Sequence, residues 1–385
     1  MWECFIAVMN YLIEERFELG PLVTFVPNKK YPVYNWFHFK EGFSRDFVIM
    51  MFDQFKLKEG SWVLDPFCGS GTTLLASKER GINSVGVDAM PLAVFVSQVK
   101  TMDYDIDYLK SIARDIFSRK FVPPSLKGLS PLVKRAFTKF ALEDILFFKQ
   151  VVSEIKDPVA KNFFTLALIT TSNKVSMAYK DGSVIKIRKR DNIPPFRPVF
   201  KRIVKKMLND LKILQTKKSV VKVYLGDARR MDFLEDCTFD AIITSPPYLN
   251  IIDYIKVYEI ENELFFGQTK YDGLRSYIGL DVEKDYSEFE YLDVPPIGKA
   301  YFRDMKNVLL EMYRLLSSNG NIVIVVGEGI FPNKIVPVPF ILSDIAKSVG
   351  FKVKKIVHVN KRIVTDQDRK KIGIALESLI FLKKG

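Results

Sequence analysis

Phe239-Asp240-Ala241-Ile242-Ile243-Thr244-Ser245-Pro246-Pro247-Tyr248-Leu249-Asn250 runs an apolar segment straight into a proline-locked turn. Phe239 and Ala241 to Ile243 bracket Asp240 and read as a short buried strand. Consecutive prolines cannot donate to a sheet ladder and hold φ at about −65°, so the chain must leave the sheet stiffly at Pro246 and Pro247. Pro246 also restricts Ser245 to extended geometry. The carboxyl end of such a strand is where open α/β sheets place their ligands. The turn offers a hydroxyl from Ser245, a carbonyl from Pro246 and an aromatic face from Tyr248. Those groups suit a planar base with an exocyclic amine: two acceptors for its protons and a ring to stack on it. An ordinary proline turn would look the same in isolation, so a second segment has to decide.

That segment is Trp62-Val63-Leu64-Asp65-Pro66-Phe67-Cys68-Gly69-Ser70-Gly71-Thr72-Thr73, an apolar strand entering a glycine turn that opens a helix. Gly69 and Gly71 let a ligand approach the backbone closely, and the helix N-terminus beyond them attracts negative charge. Residues 84–88 read as a second strand ending in Asp88, placed like the acid that takes a ribose diol in nucleotide-binding folds. The turn is neither GxGxxG nor a P-loop, which disfavours nicotinamide and nucleoside triphosphate readings. Further strands are expected at 220–225, running into Gly226-Asp227, and at 321–326, 352–359 and 376–382. Helices are expected over about 5–18, from the cap Ser44 to about 55, and over 302–316 and 340–349. This alternation predicts a doubly wound α/β sheet, with the last two strands forming an antiparallel hairpin at one edge.

Residues 103–216 differ in character. Helical patterns are expected over about 108–118, 142–155 and 159–170, with prolines between them. Cations crowd into 180–206, among them Arg188, Lys189, Arg190, Arg197, Lys201 and Arg202. The segment reads as a basic, helix-rich insertion that contacts a polyanion, the bland alternative being a solvated helix face. The chain thus divides into 1–102, with the glycine turn; 103–216, the insertion; and 217–385, with the proline turn. Residues 254–300 are acidic and aromatic and suit a lid around a target base.

The 385 residues are 48% hydrophobic and carry a net charge of +13. That allows a sizeable core and favours a nucleic-acid partner. There is no apolar run of ~18 residues, and the start lacks a basic leader, so a cytoplasmic protein is expected. Three cysteines without metal spacing and two histidines point away from a disulfide framework or zinc site. Abundant Lys, Ile and Val with scarce Gln suggest a thermophilic source.

Together, Asp65-Pro66-Phe67-Cys68-Gly69-Ser70-Gly71-Thr72-Thr73 and Thr244-Ser245-Pro246-Pro247-Tyr248, with Asp88 and Asp227 at strand ends between them, resemble the S-adenosylmethionine-dependent amino-methyltransferases of nucleic acids. The resemblance covers about 34–102 and 218–385 and implies a Rossmann-like class I methyltransferase core carrying a helical insertion. It implies that Asp65, Phe67, Gly69, Ser70, Gly71 and Thr72 surround the methionine part of the cofactor. Asp88 would take the ribose and Asp227 lie by the adenine. Residues 36–44, with Phe43 and Ser44, would form a helix closing the methionine end. Ser245, Pro246, Pro247 and Tyr248 would hold the target base, and Ser in the first position implies cytosine N4. The glycine turn precedes the proline turn here, which is also the order of RNA enzymes. The expectation is therefore N4-methyl- or N4,N4-dimethylcytidine formation in ribosomal RNA. A site-specific DNA N4-cytosine methyltransferase is the alternative, and a non-catalytic nucleic-acid binder of the same fold is a third reading.

Overall fold

The computed structural model describes residues 11–39, 41–181, 184–188, 192–249, 257–267, 287–331, 334–365 and 371–385. Apolar runs closed by turn formers give the parallel strands β2 (Trp62–Asp65), β3 (Asn83–Asp88), β6 (Val221–Leu225), β7 (Phe239–Thr244) and β8 (Leu316–Gly327). With β1 (Ile13–Glu15), β11 (Phe351–Thr365) and β12 (Lys371–Lys384) they form one eight-stranded sheet in the order β1-β11-β12-β8-β7-β2-β3-β6. The chain moves outward from β2 through β3 to β6, then returns to β7 on the other side of β2. That reversal is a topological switch point, and the carboxyl ends of β2 and β7 meet there.

The antiparallel hairpin expected at one edge is formed by β11 and β12, with only the three-residue β1 beyond it. β12 lies antiparallel between β8 and β11. Its run Leu379-Ile380-Phe381-Leu382 is buried on both faces, Leu379 and Phe381 in the cluster that holds α1, Ile380 and Leu382 in the cluster on the opposite face. The edge is completed by Ile13–Glu15, where the sequence pattern predicted helix. The exposed rim of β11 captures it as a parallel strand, Ile13 pairing with Ile356. The part of that expected helix before residue 11 lies outside the described residues, as do residues 254–256 and 268–286 of the expected lid.

Helix α1 (Arg45–Phe55) begins where Ser44 accepts a hydrogen bond from the Phe47 amide at 3.2 Å. Helix α2 (Thr72–Arg80) starts at Gly71 and stops at Gly81, both in the left-handed region that glycine tolerates. Helix α3 (Pro91–Thr101) carries the insertion on its outer face. The insertion comprises α4 (Ile106–Ser118), α5 (Pro131–Ala136), α6 (Lys139–Ser153), α7 (Pro158–Val175), a hairpin of β4 (Ala178–Asp181) and β5 (Val184–Ile187), and α8 (Phe196–Ile213). It shares one apolar core with α3 and residues 34–39. Trp36 fastens it: the indole N–H donates to Asp210 at 3.0 Å, and the Trp36 carbonyl accepts from Thr170 at 2.5 Å. Both ends of the insertion are tied to buried Lys78. Its ammonium donates to the Thr101 carbonyl and to Asp103, each at 2.6 Å, and its carbonyl accepts from the Lys217 amide at 2.9 Å.

A small hairpin of β9 (Gly329–Phe331) and β10 (Lys334–Val336) follows β8. Helices Pro296–Leu315 and Val338–Val349 cover one face of the sheet, α1 and α2 the other. Among the described residues no helix is long and apolar enough to cross a membrane, and no group of three or more His, Cys, Asp or Glu side chains could hold a metal ion.

Candidate active site

A cavity of about 510 Å³ opens at the switch point and is lined by both sequence segments, within the range of about 300–1,000 Å³ usual for small-molecule sites. Asp65 joins the segments. Its Oδ1 accepts from Thr244 Oγ1 at 2.8 Å, across 179 residues, and from the Phe67 amide at 3.2 Å. Its Oδ2 accepts from Thr73 Oγ1 at 2.7 Å. Burial pushes the Asp65 carboxyl up to about 6, while the Thr73, Thr244 and Phe67 donors oppose the rise. A buried carboxylate with fixed donors therefore sets the glycine turn against the strand end that carries Ser245.

On the glycine side, Asp88 Oδ2 accepts from the Gly69 amide and Oδ1 from the Met90 amide, each at 2.9 Å. Each oxygen keeps a lone pair for a further donor. Burial lifts this carboxyl to about 6 as well, against the two amides. Gly69 sits at φ +50°, and a Cβ there would lie 2.9 Å from the Phe39 ring. Phe67, Ser70, Thr72 and Phe43 line the cavity. Ser44 and Gly71 stand one step back: Ser44 is fully buried as the α1 cap, and Gly71 turns the chain into α2 beside Ser97. The helix expected over 36–44 is absent from the described part of that segment. After the turn Tyr34–Trp36 the chain runs as a loop into α1, because Gly42 and the cap at Ser44 postpone the helix. Asp227 lines the far wall with its carboxylate gripped by Arg229 at 2.6 Å, and Arg229 also reaches buried Asp304 at 3.0 Å.

On the proline side, Ser245, Pro246, Pro247 and Tyr248 all line the cavity. The Tyr248 ring lies over Gly327, where a Cβ would come within 3.0 Å of it, and the hydroxyl donates to Glu377 Oε1 at 2.5 Å. Asn360 donates to the other Glu377 oxygen at 3.4 Å. Burial pushes the Glu377 carboxyl up, opposed by the Tyr248 and Asn360 hydrogen bonds. Sequence reasoning missed Thr73, Thr244 and Glu377. The threonines flank the two segments and were legible as hydroxyls beside an acid. Glu377 stands 129 residues from Tyr248 and has no local signal.

The basic residues lie away from the cavity. Lys201 and Arg202 project from the exposed face of α8, opposite buried Val199, Phe200 and Ile203. Arg188 is exposed just after β5. Arg197 is engaged, pairing with Asp144 at 2.7 Å and lying over the Phe121 ring. Lys189 and Arg190 fall outside the described residues.

A family described as "DNA methylase", of the N6/N4 type, matches residues 54–97, which span β2 to α3. The chain is 26% identical over 422 residues to the Type II methyltransferase M.BsoBI of Geobacillus stearothermophilus, covering 89% of this chain and 83% of that protein. It is 25% identical over 433 residues to the Type II methyltransferase M.AvaI of Nostoc sp., covering 91% and 88%. The Type II methyltransferase M.MjaII of Methanocaldococcus jannaschii is 23% identical over 374 residues, covering 70% and 67%. The cavity fits the cofactor such enzymes use, offering acids with free lone pairs and a backbone opened by glycine at a sheet switch point. With that site and those relatives, the chain is an S-adenosylmethionine-dependent methyltransferase, similar to the DNA methylases of the N6/N4 type.

Proposed function

We propose that this chain is a site-specific DNA methyltransferase acting on the exocyclic N4 of cytosine. The observation that carries the reading is the Ser245-Pro246-Pro247-Tyr248 turn at the end of β7, locked through Thr244 and Asp65 to the glycine turn beside it. DNA replaces the RNA substrate expected from motif order: the relatives bear Type II methyltransferase names, and the matching family is described as DNA methylase.

Asp88 would hold the ribose, residues 65–72 the methionine part, with Phe43 above it, and Asp227 the adenine end. When bound, the cofactor supplies an electrophilic methyl group on a sulfonium. Ser245 Oγ and the Pro246 carbonyl accept the amine protons and favour a tetrahedral nitrogen whose lone pair is free to attack. Tyr248 stacks on the ring, its angle fixed by Glu377 below and Gly327 behind. Catalysis comes from positioning and from dipoles aimed at the positive charge that develops on nitrogen. Cys68 is buried with its thiol pushed up by burial, so it is no nucleophile. The insertion, residues 103–216, serves as the target-recognition unit, with Arg188, Lys201 and Arg202 reaching phosphates. Lys189 and Arg190 belong to the same basic stretch, whereas Arg197 props the insertion's own aromatic core.

Nucleoside mass spectrometry after incubating DNA and RNA with methyl-labelled cofactor tests the proposal. Label in N4-methylcytosine from DNA is expected. N6-methyladenine would keep the pocket and change the base, and label confined to RNA would overturn the substrate.

A further inference from the structure

Strand β8 ends at Gly327, which pairs with Glu377, but β11 and β12 do not end there. They stay paired through Lys361–Leu376, Arg362–Ala375, Ile363–Ile374 and Val364–Gly373. Because β11 runs parallel to β8 in direction, this overhang rises from the edge of the sheet that holds the cavity. Four residue pairs at about 3.3 Å each carry it roughly 13 Å past β8. Its root belongs to the cavity: Arg362, Ala375, Leu376 and Glu377 line it.

The overhang has two unlike faces. Val364 is buried, and its cross-strand partner Gly373 lies so close to Ile335 of β10 that a Cβ would meet that side chain at 2.8 Å. One residue nearer the root the side chains point the other way. There Ile363 and Ile374 stand directly opposite each other, 66% and 47% exposed. The arm is thus braced on one face by β10 and bare on the other. Lys361 and Arg362 beneath the isoleucine pair are exposed cations.

We propose that this overhang is a wedge for the DNA base stack. Ile363 and Ile374 fill the gap left in the duplex when the target base is drawn onto Tyr248, while Lys361 and Arg362 meet the flanking phosphates. The inference rests on the DNA reading above. A base must leave the stack to reach a buried pocket, at a cost of a few kcal/mol, and apolar side chains inserted between base steps are a general means of offsetting it. The occupant follows from position and charge: the apolar pair sits one residue pair beyond the cavity wall, on a cationic root, in a chain of net charge +13.

The test uses the full chain and a duplex oligonucleotide carrying the mapped methylation site. In one duplex the target base is paired; in the other it faces an abasic position, so extrusion costs little. The double variant Ile363→Ala/Ile374→Ala should lose about tenfold in single-turnover methylation of the paired duplex and stay within about twofold of wild type on the abasic one. Ile363→Met, which keeps an apolar side chain, should recover the paired rate, and calorimetric cofactor binding should match wild type in every variant. Equal loss on both duplexes, or no loss on either, overturns the wedge. So does a wild-type dimer that the double variant dissolves, which would assign the pair to a contact between copies. Wild type that labels no DNA overturns the DNA reading first, before any variant is compared.

Discussion

Thr244→Val is the sharpest probe of the link between the two halves of the site. The substitution keeps shape and removes one O–H donor from a carboxylate whose residue is 2% exposed, at a position itself 1% exposed. Hydrogen bonds to charged groups contribute about 1.5–3 kcal/mol, and Asp65 retains only Thr73 and the Phe67 amide. A loss of about 2 kcal/mol in urea unfolding at pH 8 is expected, with Thr244→Ser losing less than about 1. The pH dependence has a definite sign. Folded Asp65 titrates at about 6 against 3.8 in the unfolded chain, so the native state binds the extra proton between those values. The contribution of Asp65 to stability therefore falls as pH rises through that window. Deleting the Thr244 donor raises the folded value further, so the deficit of the variant is full only above that raised value, shrinks as pH falls from there toward about 6, and stays at its floor below, where both proteins carry the proton. A Thr244→Val protein within about 0.5 kcal/mol of wild type at pH 8, or a deficit flat from pH 5 to 8, would refute the argument.

Two more outcomes follow from the geometry. Cofactor affinity measured by calorimetry should be full above about pH 6 and fall as Asp88 protonates below it, since only the carboxylate accepts both the amides and a ribose hydroxyl; Asp88→Asn should remove that part of the dependence and weaken binding at neutral pH. Neutralising Lys201 and Arg202 together should lower the log–log salt slope of DNA binding by roughly 1.8, at about 0.9 per phosphate contact, while cofactor binding is untouched; an unmoved slope makes that face of α8 a solvated surface.

Much of the site was readable because its chemistry is local. A glycine turn after an apolar run, an acid at the next strand end and a proline turn each write their constraint within a dozen residues. The doubly wound sheet followed from their alternation with helices. What stayed hidden is what depends on distant pairing. Ile13–Glu15 is a strand only because the rim of β11 is there to receive it. The pairing of β12 with β8 as well as with β11 is a long-range register that its local pattern does not carry. Glu377 could not be tied to Tyr248 without knowing that β12 lies beside β8. The density of cations over 180–206 was real but uneven in meaning, since Arg197 props an internal aromatic cluster and Lys201 faces solvent.

The attachment at Lys78 bears on how such a chain acquires a new target. One side chain and its own carbonyl hold the point where the chain departs after α3 and the point where it returns before β6. A segment whose ends leave side by side can be exchanged for another without moving β3, β6 or the acids at their ends. The replacement must cover the apolar outer face of α3 and the buried side chains of residues 34–39 and 257–264, and supply partners for the Trp36 indole and carbonyl. On the proposed role of the insertion, sequence specificity can drift as a cassette while the catalytic half stays still, and a transplanted cassette that keeps Asp103 and joins the chain again at Lys217 is a practical route to redirecting this enzyme.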